Sequence, residues 1–128
     1  MTYLLDVNAL IACIWTDHTS HRVADSWVRS KSLATCAISE LGFLRISTHP
    51  KALGASMTDS RKLLHDFLTK RRIQFVPSDL PALQSKAANS DQVTDFYLAE
   101  LAAKHNLKLA TLDTNLSHNA VEVIKQPS

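Results

Sequence analysis

Short apolar segments alternate with longer segments of helical periodicity along this chain, and this alternation most constrains its fold. Thr2–Leu5 is a short apolar run that predicts a buried strand, and Asp6 ends it. Val7–Trp15 is apolar at nearly every position without a two-residue period, which predicts a helix buried on most sides. Strands that alternate with helices indicate an α/β fold with a mostly parallel sheet. Only two Gly and four Pro argue against an all-β fold rich in tight turns.

The rest of the chain continues the alternation. Further strands are predicted at Leu33–Cys36, Ile73–Val76, Lys108–Leu112 and Val121–Ile124. Further helices are predicted at His21–Ser30, Ile38–Ser47, Thr58–Lys70, Asp79–Asn89 and Thr94–His105. We expect Thr94 to be the N-cap of the last helix. The 128 residues, 45% of them hydrophobic, fit one domain, residues 1–128.

Composition places few limits on the partners of the chain. A net charge of +2 permits a nucleic-acid partner but does not demonstrate one. Cys13 and Cys36 lie among apolar neighbours and are expected to be buried free thiols. The start of the chain lacks the basic region of a signal peptide, and the longest apolar run, Ala9–Trp15, is too short to cross a membrane. We therefore expect a soluble, cytoplasmic protein.

Two aspartates directly follow predicted strands. Asp6 ends the strand Thr2–Leu5, and Asp113 ends the strand Lys108–Leu112. In open α/β sheets, ligands bind in the crevice outside the carboxyl ends of the strands. Both side chains are therefore expected at that crevice.

Two more carboxylates lie among apolar neighbours, close in sequence to the ends or starts of predicted elements. Glu40 follows the strand Leu33–Cys36, and Asp95 begins the helix that precedes Asp113. Four carboxylates in one crevice would repel one another, which a hard divalent cation relieves. Mg²⁺ or Mn²⁺ bound by Asp or Glu oxygens can activate water for attack on a phosphodiester. The set therefore predicts metal-dependent phosphodiester chemistry.

Each carboxylate also has a simpler explanation when taken singly. Asp6 fits a helix cap or a turn residue, and Thr94 followed by Asp95 is an ordinary capping sequence. Glu40 fits a solvated helix face. The combination is more informative than any one member.

The segments around these carboxylates resemble the PIN-domain ribonucleases, and most of all the VapC-type toxins of prokaryotic toxin–antitoxin systems. The likeness covers essentially the whole chain in the order that the family has. It rests on four segments: Leu4–Leu10, Ser39–Arg45, Val93–Ala99 and Leu109–Asp113.

The resemblance implies a three-layer α/β/α sandwich and RNA cleavage that depends on Mg²⁺ or Mn²⁺. It also implies a homodimer held by a VapB-type antitoxin. The matching positions are the acidic quartet Asp6, Glu40, Asp95 and Asp113, the polar Asn8 beside the first aspartate, and the hydroxyl residue Thr111 two before the last.

The sequence after Asp113 departs from many relatives, because Thr114 and Asn115 stand where a basic or glycine-aromatic sequence is common. Asn115 is a candidate polar contact to metal-bound water or phosphate. Arg45 is a candidate contact to an RNA phosphate or to a site carboxylate, and a solvated role explains it equally well. Two alternative functions stay open: a PIN-type nuclease of RNA maturation or DNA processing, and a non-catalytic binding scaffold.

Overall fold

The structure, a computed structural model, describes residues 1–126. Its strands form one parallel sheet in the order β3-β2-β1-β4-β5. The strands are β1 (Thr2–Leu5), β2 (Ser32–Thr35), β3 (Gln74–Phe75), β4 (Lys108–Thr111) and β5 (Val121–Val123). The helices are α1 (Val7–Ile14), α2 (His21–Val28), α3 (Ala37–Thr48), α4 (Met57–Lys70) and α5 (Val93–Lys104). Within residues 1–126, no helix has the length and apolar character needed to span a membrane.

Successive side chains of the central strands belong to two separate hydrophobic cores, one on each face of the sheet. Leu5 and Ala110 pack with α1 and α3, whereas Leu4 and Leu109 pack with Leu98 of α5. This separation follows from the two-residue period of a strand, which sends neighbouring side chains to opposite faces. The predicted three-layer α/β/α sandwich with a parallel sheet is therefore confirmed.

The helix predicted at Asp79–Asn89 is wrong. This segment contains only one 3₁₀ turn, at Ala82–Gln84, in otherwise irregular chain. Pro81 fixes its own backbone and disfavours helical geometry in the residue before it. Leu80 packs against the core but Leu83 is fully exposed, so the segment has no continuous apolar stripe facing the core. Hydrogen bonds to the Glu100 carboxylate of α5 hold the segment instead.

The predicted N-cap of α5 is also wrong. A 3₁₀ turn at Ser90–Gln92 leads directly into the helix, so the N-cap is Gln92 and Thr94 lies inside the first turn. The helix begins at Val93, and Asp95 still lies in its first turn, as predicted. The other predicted helices and strands are present, with ends that coincide or differ by at most two residues.

Both cysteines are buried and free, as expected from their apolar neighbours. Cys13 lies in the core on the α1 face, and Cys36 lies in the core on the α5 face.

Helices α1 and α3 approach closely where Gly42 faces Val7. A Cβ at position 42 would lie 2.4 Å from Val7 Cγ2 and 2.9 Å from Cγ1. Valine has few rotamers in a helix, so these methyl groups cannot easily move away. The missing side chain of Gly42 thus lets α3 lie against the start of α1.

We expect Gly42→Ala to lower the free energy of unfolding by roughly 1–3 kcal/mol, as overpacking commonly does. Urea denaturation followed by circular dichroism measures this change. The double variant Val7→Ala/Gly42→Ala removes the clashing methyl groups and should recover part of the loss, with Val7→Ala as its reference. A Gly42→Ala protein as stable as the parent would contradict this account of the helix contact.

Candidate active site

The candidate site lies at the carboxyl ends of β1 and β4, the two central strands. The chain moves from β1 towards one edge of the sheet and from β4 towards the other, so the strand order reverses between them. Such a reversal leaves a crevice at the strand ends. The two strands stay hydrogen-bonded to each other as far as Asp6, because the Asp6 N–H donates to the Ala110 carbonyl oxygen at 3.2 Å.

Asp6 is both the N-cap of α1 and a buried acid. Its Oδ1 accepts a hydrogen bond from the Ala9 N–H at 2.8 Å, and its side chain is almost fully buried. Burial raises the pKa of Asp6 to about 7, with the charges of Asp95 and Asp113 adding to the rise. The Thr111 hydroxyl and the Ala9 amide act in the opposite direction. The cap explanation and the site explanation of Asp6 are therefore compatible.

Asp95 and Asp113 complete a group of three carboxylates that interact electrostatically. Burial raises the pKa of Asp95, and the charge of Asp113 raises it further. The Asp113 side chain is held by the Asn115 N–H, which donates to Oδ1 at 2.8 Å. Asn115 therefore supports the site through its backbone, while its own side chain is exposed.

Thr111 links two of these carboxylates. It ends β4, is fully buried, and accepts a hydrogen bond at Oγ1 from the Asp113 N–H at 3.0 Å. Its hydroxyl also lowers the pKa of Asp6. One side chain thereby connects the two aspartates that follow the central strands.

Glu40 lies apart from this group of three. It is half-buried in the first turn of α3, and burial raises its pKa, with the nearby Thr35 hydroxyl acting against the rise. None of the three aspartates contributes to that pKa change. The Thr35 hydroxyl is buried at the end of β2 and makes no hydrogen bond within residues 1–126. Glu40 and Thr35 thus form a second polar position on the strand beside β1.

The donor set suits a hard divalent cation that keeps part of its water. Among the ion pairs of residues 1–126, none involves Asp6, Glu40, Asp95 or Asp113, so no Lys or Arg neutralises them. In the same residues, no three acidic, His or Cys side chains lie close enough to hold a metal ion alone. Mg²⁺ commonly uses one or two carboxylates together with water and substrate phosphate. The residues present therefore fit such an ion.

A cleft of about 360 Å³ adjoins the carboxylates between the starts of α1 and α5 and the side of α3. We call it the α3 cleft. Its lining includes Val7, Asn8, Ile38, Leu41, Arg45 and Asp95. The structure thus brings Asn8 and Arg45 beside Asp95, and both of these side chains are exposed.

Two residues that support this geometry were missed in the sequence. Ser39 is fully buried and donates from Oγ to the Leu5 carbonyl oxygen at 2.7 Å, which fixes α3 to the residue before Asp6. No spacing rule identifies such a bond. Gly42 could have been found, because an isolated glycine within a helical pattern often marks a close packing contact.

Comparison with known proteins agrees with this geometry. The PIN domain family model matches residues 3–122. Ribonuclease VapC38 of Mycobacterium tuberculosis is 34% identical over 137 residues, which cover 97% of this chain and 94% of the relative. Ribonuclease VapC29 of the same species is also 34% identical, over 92% of this chain and 90% of the relative.

The crystal structure of VapBC2 from Rickettsia felis bound to a promoter DNA fragment has a similar fold. Its TM-score is 0.65 at 15% identity, with 96% of this chain and 98% of that chain covered. The resemblance drawn from the four carboxylate segments is confirmed. This chain belongs to the PIN-domain family and, within it, to the VapC ribonucleases.

Proposed function

We propose that this endoribonuclease depends on Mg²⁺ or Mn²⁺ that Asp6, Asp95 and Asp113 bind directly or through water, while Glu40, which lies apart from them, acts on the attacking water. The observation that carries the proposal is the meeting of three carboxylates at the reversal between β1 and β4. Asp95 and Asp113 both raise the pKa of Asp6, Asp113 raises that of Asp95, and no ion pair within residues 1–126 neutralises any of the three. A divalent cation is the partner that such oxygen donors prefer.

The residues of the chain have distinct tasks in this proposal. Asp6, Asp95 and Asp113 hold the ion directly or through water. The Thr111 hydroxyl interacts with Asp6 and accepts from the Asp113 N–H, and the Asn115 N–H fixes the Asp113 carboxylate. When bound, the ion polarises a phosphoryl oxygen and lowers the pKa of the attacking water.

Glu40 accepts a proton from the attacking water, and its raised pKa suits a general base. Water attacks phosphorus in line as the bond from phosphorus to the 3′ oxygen breaks, and the leaving 3′ oxygen takes a proton from solvent water. The products are a 5′-phosphate and a 3′-hydroxyl.

We also propose a toxin role in a cytoplasmic toxin–antitoxin pair, with residues 1–128 as one nuclease domain. The family supports this role, and the R. felis neighbour is a VapBC complex. The partners are then a VapB-type antitoxin and a second copy of the chain. The proposal predicts a small antitoxin reading frame next to this gene. Co-expression with the product of such a frame, followed by size-exclusion chromatography, tests both partners.

The metal requirement is tested by incubating the purified chain with cellular RNA. We expect cleavage with Mn²⁺ or Mg²⁺ and none with EDTA, and 5′-phosphate ends on the fragments. Single-stranded DNA of matched length serves as the comparison substrate, since preferred cleavage of DNA would favour the DNA-processing alternative. Cleavage that persists in EDTA would overturn the metal proposal, and no cleavage with either ion would favour the binding scaffold.

A further inference from the structure

We propose that the α3 cleft binds one unstacked nucleobase of single-stranded RNA, next to the phosphate that is cut, with Arg45 on a neighbouring phosphate. This inference rests on the proposed function and names how its substrate is held. It concerns the walls of the cleft rather than the carboxylates.

The walls of the cleft are apolar and partly open to solvent. Val7 and Ile38 are partly buried there, whereas Leu41 is 65% exposed. Its neighbour on the same helix, Phe43, is fully buried in the core, so the exposed leucine is not explained by the packing of α3. A leucine at the lip of a cleft can cover the flat face of a base, as apolar side chains do for bases turned out of the stack.

The size of the cleft suits a small ligand. Its volume of about 360 Å³ lies at the lower end of the roughly 300–1,000 Å³ typical of small-molecule pockets. A paired base in a duplex keeps its faces stacked on its neighbours and cannot enter. The ligand is therefore a base from a single-stranded segment, where bases can turn outwards.

The polar groups of the cleft match the other parts of a nucleotide. The Asn8 amide offers both a donor and an acceptor, which allows it to hydrogen-bond the edge of a base. Arg45 is exposed and joins none of the ion pairs formed by residues 1–126, so its guanidinium is available to a phosphate.

Asp95 sets the position of this base relative to the cut. It contributes to the α3 cleft and also interacts electrostatically with Asp6 and Asp113. A phosphate at the carboxylates and a base in the cleft must therefore belong to the same or to adjacent nucleotides. The cleft then selects which base lies beside the cut.

Fluorescence anisotropy of labelled single-stranded RNA in EDTA tests this inference without cleavage. We expect Leu41→Ala to weaken binding about tenfold, the loss typical of one buried apolar side chain. The matched control is Leu63→Ala, an exposed leucine on α4 outside the cleft, which should change binding little. Equal losses in the two variants would overturn the proposal.

Arg45 is tested by the salt dependence of the same binding. Arg45→Ala should lower the slope of log affinity against log salt by roughly 0.7, the value for one phosphate contact on a single strand. Arg61→Ala, an exposed arginine on α4, is the control that should leave the slope unchanged. Leu41→Ala should also leave it unchanged. An Arg45→Ala slope equal to that of the parent would overturn the phosphate contact.

Abasic substitution at each position of the oligonucleotide identifies the bound base. One position should weaken binding to the parent chain, and that effect should disappear in Leu41→Ala. Equal effects at all positions would overturn the base site. Sedimentation of Leu41→Ala checks for a different occupant, since a dimer that dissociates together with lost RNA affinity would make the cleft a protein interface.

The failure of this inference is distinguishable from that of the proposed function. If the parent chain cleaves RNA with metal and the cleft variants bind RNA as tightly as the parent, the base site alone is overturned. Normal RNA binding at the cleft with no cleavage in Mg²⁺ or Mn²⁺ would overturn the metal-dependent mechanism alone.

Discussion

The Asp6→Asn variant should lose about 10³-fold of its metal-dependent RNA cleavage and keep its fold. Removing one anionic ligand costs several kcal/mol of transition-state stabilisation, and each 1.36 kcal/mol corresponds to a factor of ten. The fold should survive because Oδ1 of asparagine can still accept the hydrogen bond from the Ala9 N–H, and asparagine is as good an N-cap as aspartate.

The measurement is the initial rate of RNA cleavage in Mn²⁺ for both proteins, with circular dichroism to compare their folds. Asp17→Asn is the matched control, because Asp17 is an exposed aspartate in the loop after α1. It should cut RNA at nearly the parental rate. Parental activity in Asp6→Asn would remove Asp6 from the site, and loss of activity in Asp17→Asn would show that the assay responds to charge in general.

The fold was predictable where local periodicity and core packing agree. The sequence predicts the strand Thr2–Leu5 followed by an apolar helix, and the structure has both. The apolar residues on which these predictions rest are largely buried in the core. The segment Asp79–Asn89 was not predictable in this way. Its spacing suited a helix, but Leu83 has no surface to pack on and Pro81 opposes the helix, so tertiary contact decided its shape.

The site was predictable in its parts and less so in its arrangement. Asp6 and Asp113 follow neighbouring strands, and the rule on strand ends places them together without knowledge of the sheet order. The relation of Glu40 to the other three depends on how α3 lies on the sheet. That position depends on the bond from Ser39 to the Leu5 carbonyl and on the contact between Gly42 and Val7, which no periodicity reveals.

The same carboxylates should make the metal-free protein less stable as the pH rises from about 4 to about 7. The pKa of Asp6 is about 7 in the folded chain and near the ordinary 3.8 when unfolded. Between these values the folded state binds more protons than the unfolded state, so the free energy of unfolding falls with rising pH. The raised pKa values of Asp95 and Glu40 act in the same direction.

Thermal unfolding in EDTA should therefore show a higher Tm near pH 5 than near pH 8. Asp6→Asn removes the group that lowers the stability most at high pH, so at pH 8 it should unfold at a higher temperature than the parent. The corresponding gain in the free energy of unfolding is on the order of a few kcal/mol. Near pH 5, where Asp6 is already neutral in the folded chain, the two proteins should differ little.

Mg²⁺ should act in the opposite way to protons, because it binds the charged carboxylates of the folded state and not the dispersed ones of the unfolded state. The rise in Tm on adding Mg²⁺ should be larger at pH 8 than at pH 5, and much smaller in Asp6→Asn. An Asp6→Asn protein less stable than the parent at pH 8 in EDTA would mean that the Asp6 charge is neutralised without metal. The repulsion that argues for a cation would then be absent. Higher stability together with lost cleavage would show instead that this carboxylate opposes folding and is retained for its chemistry.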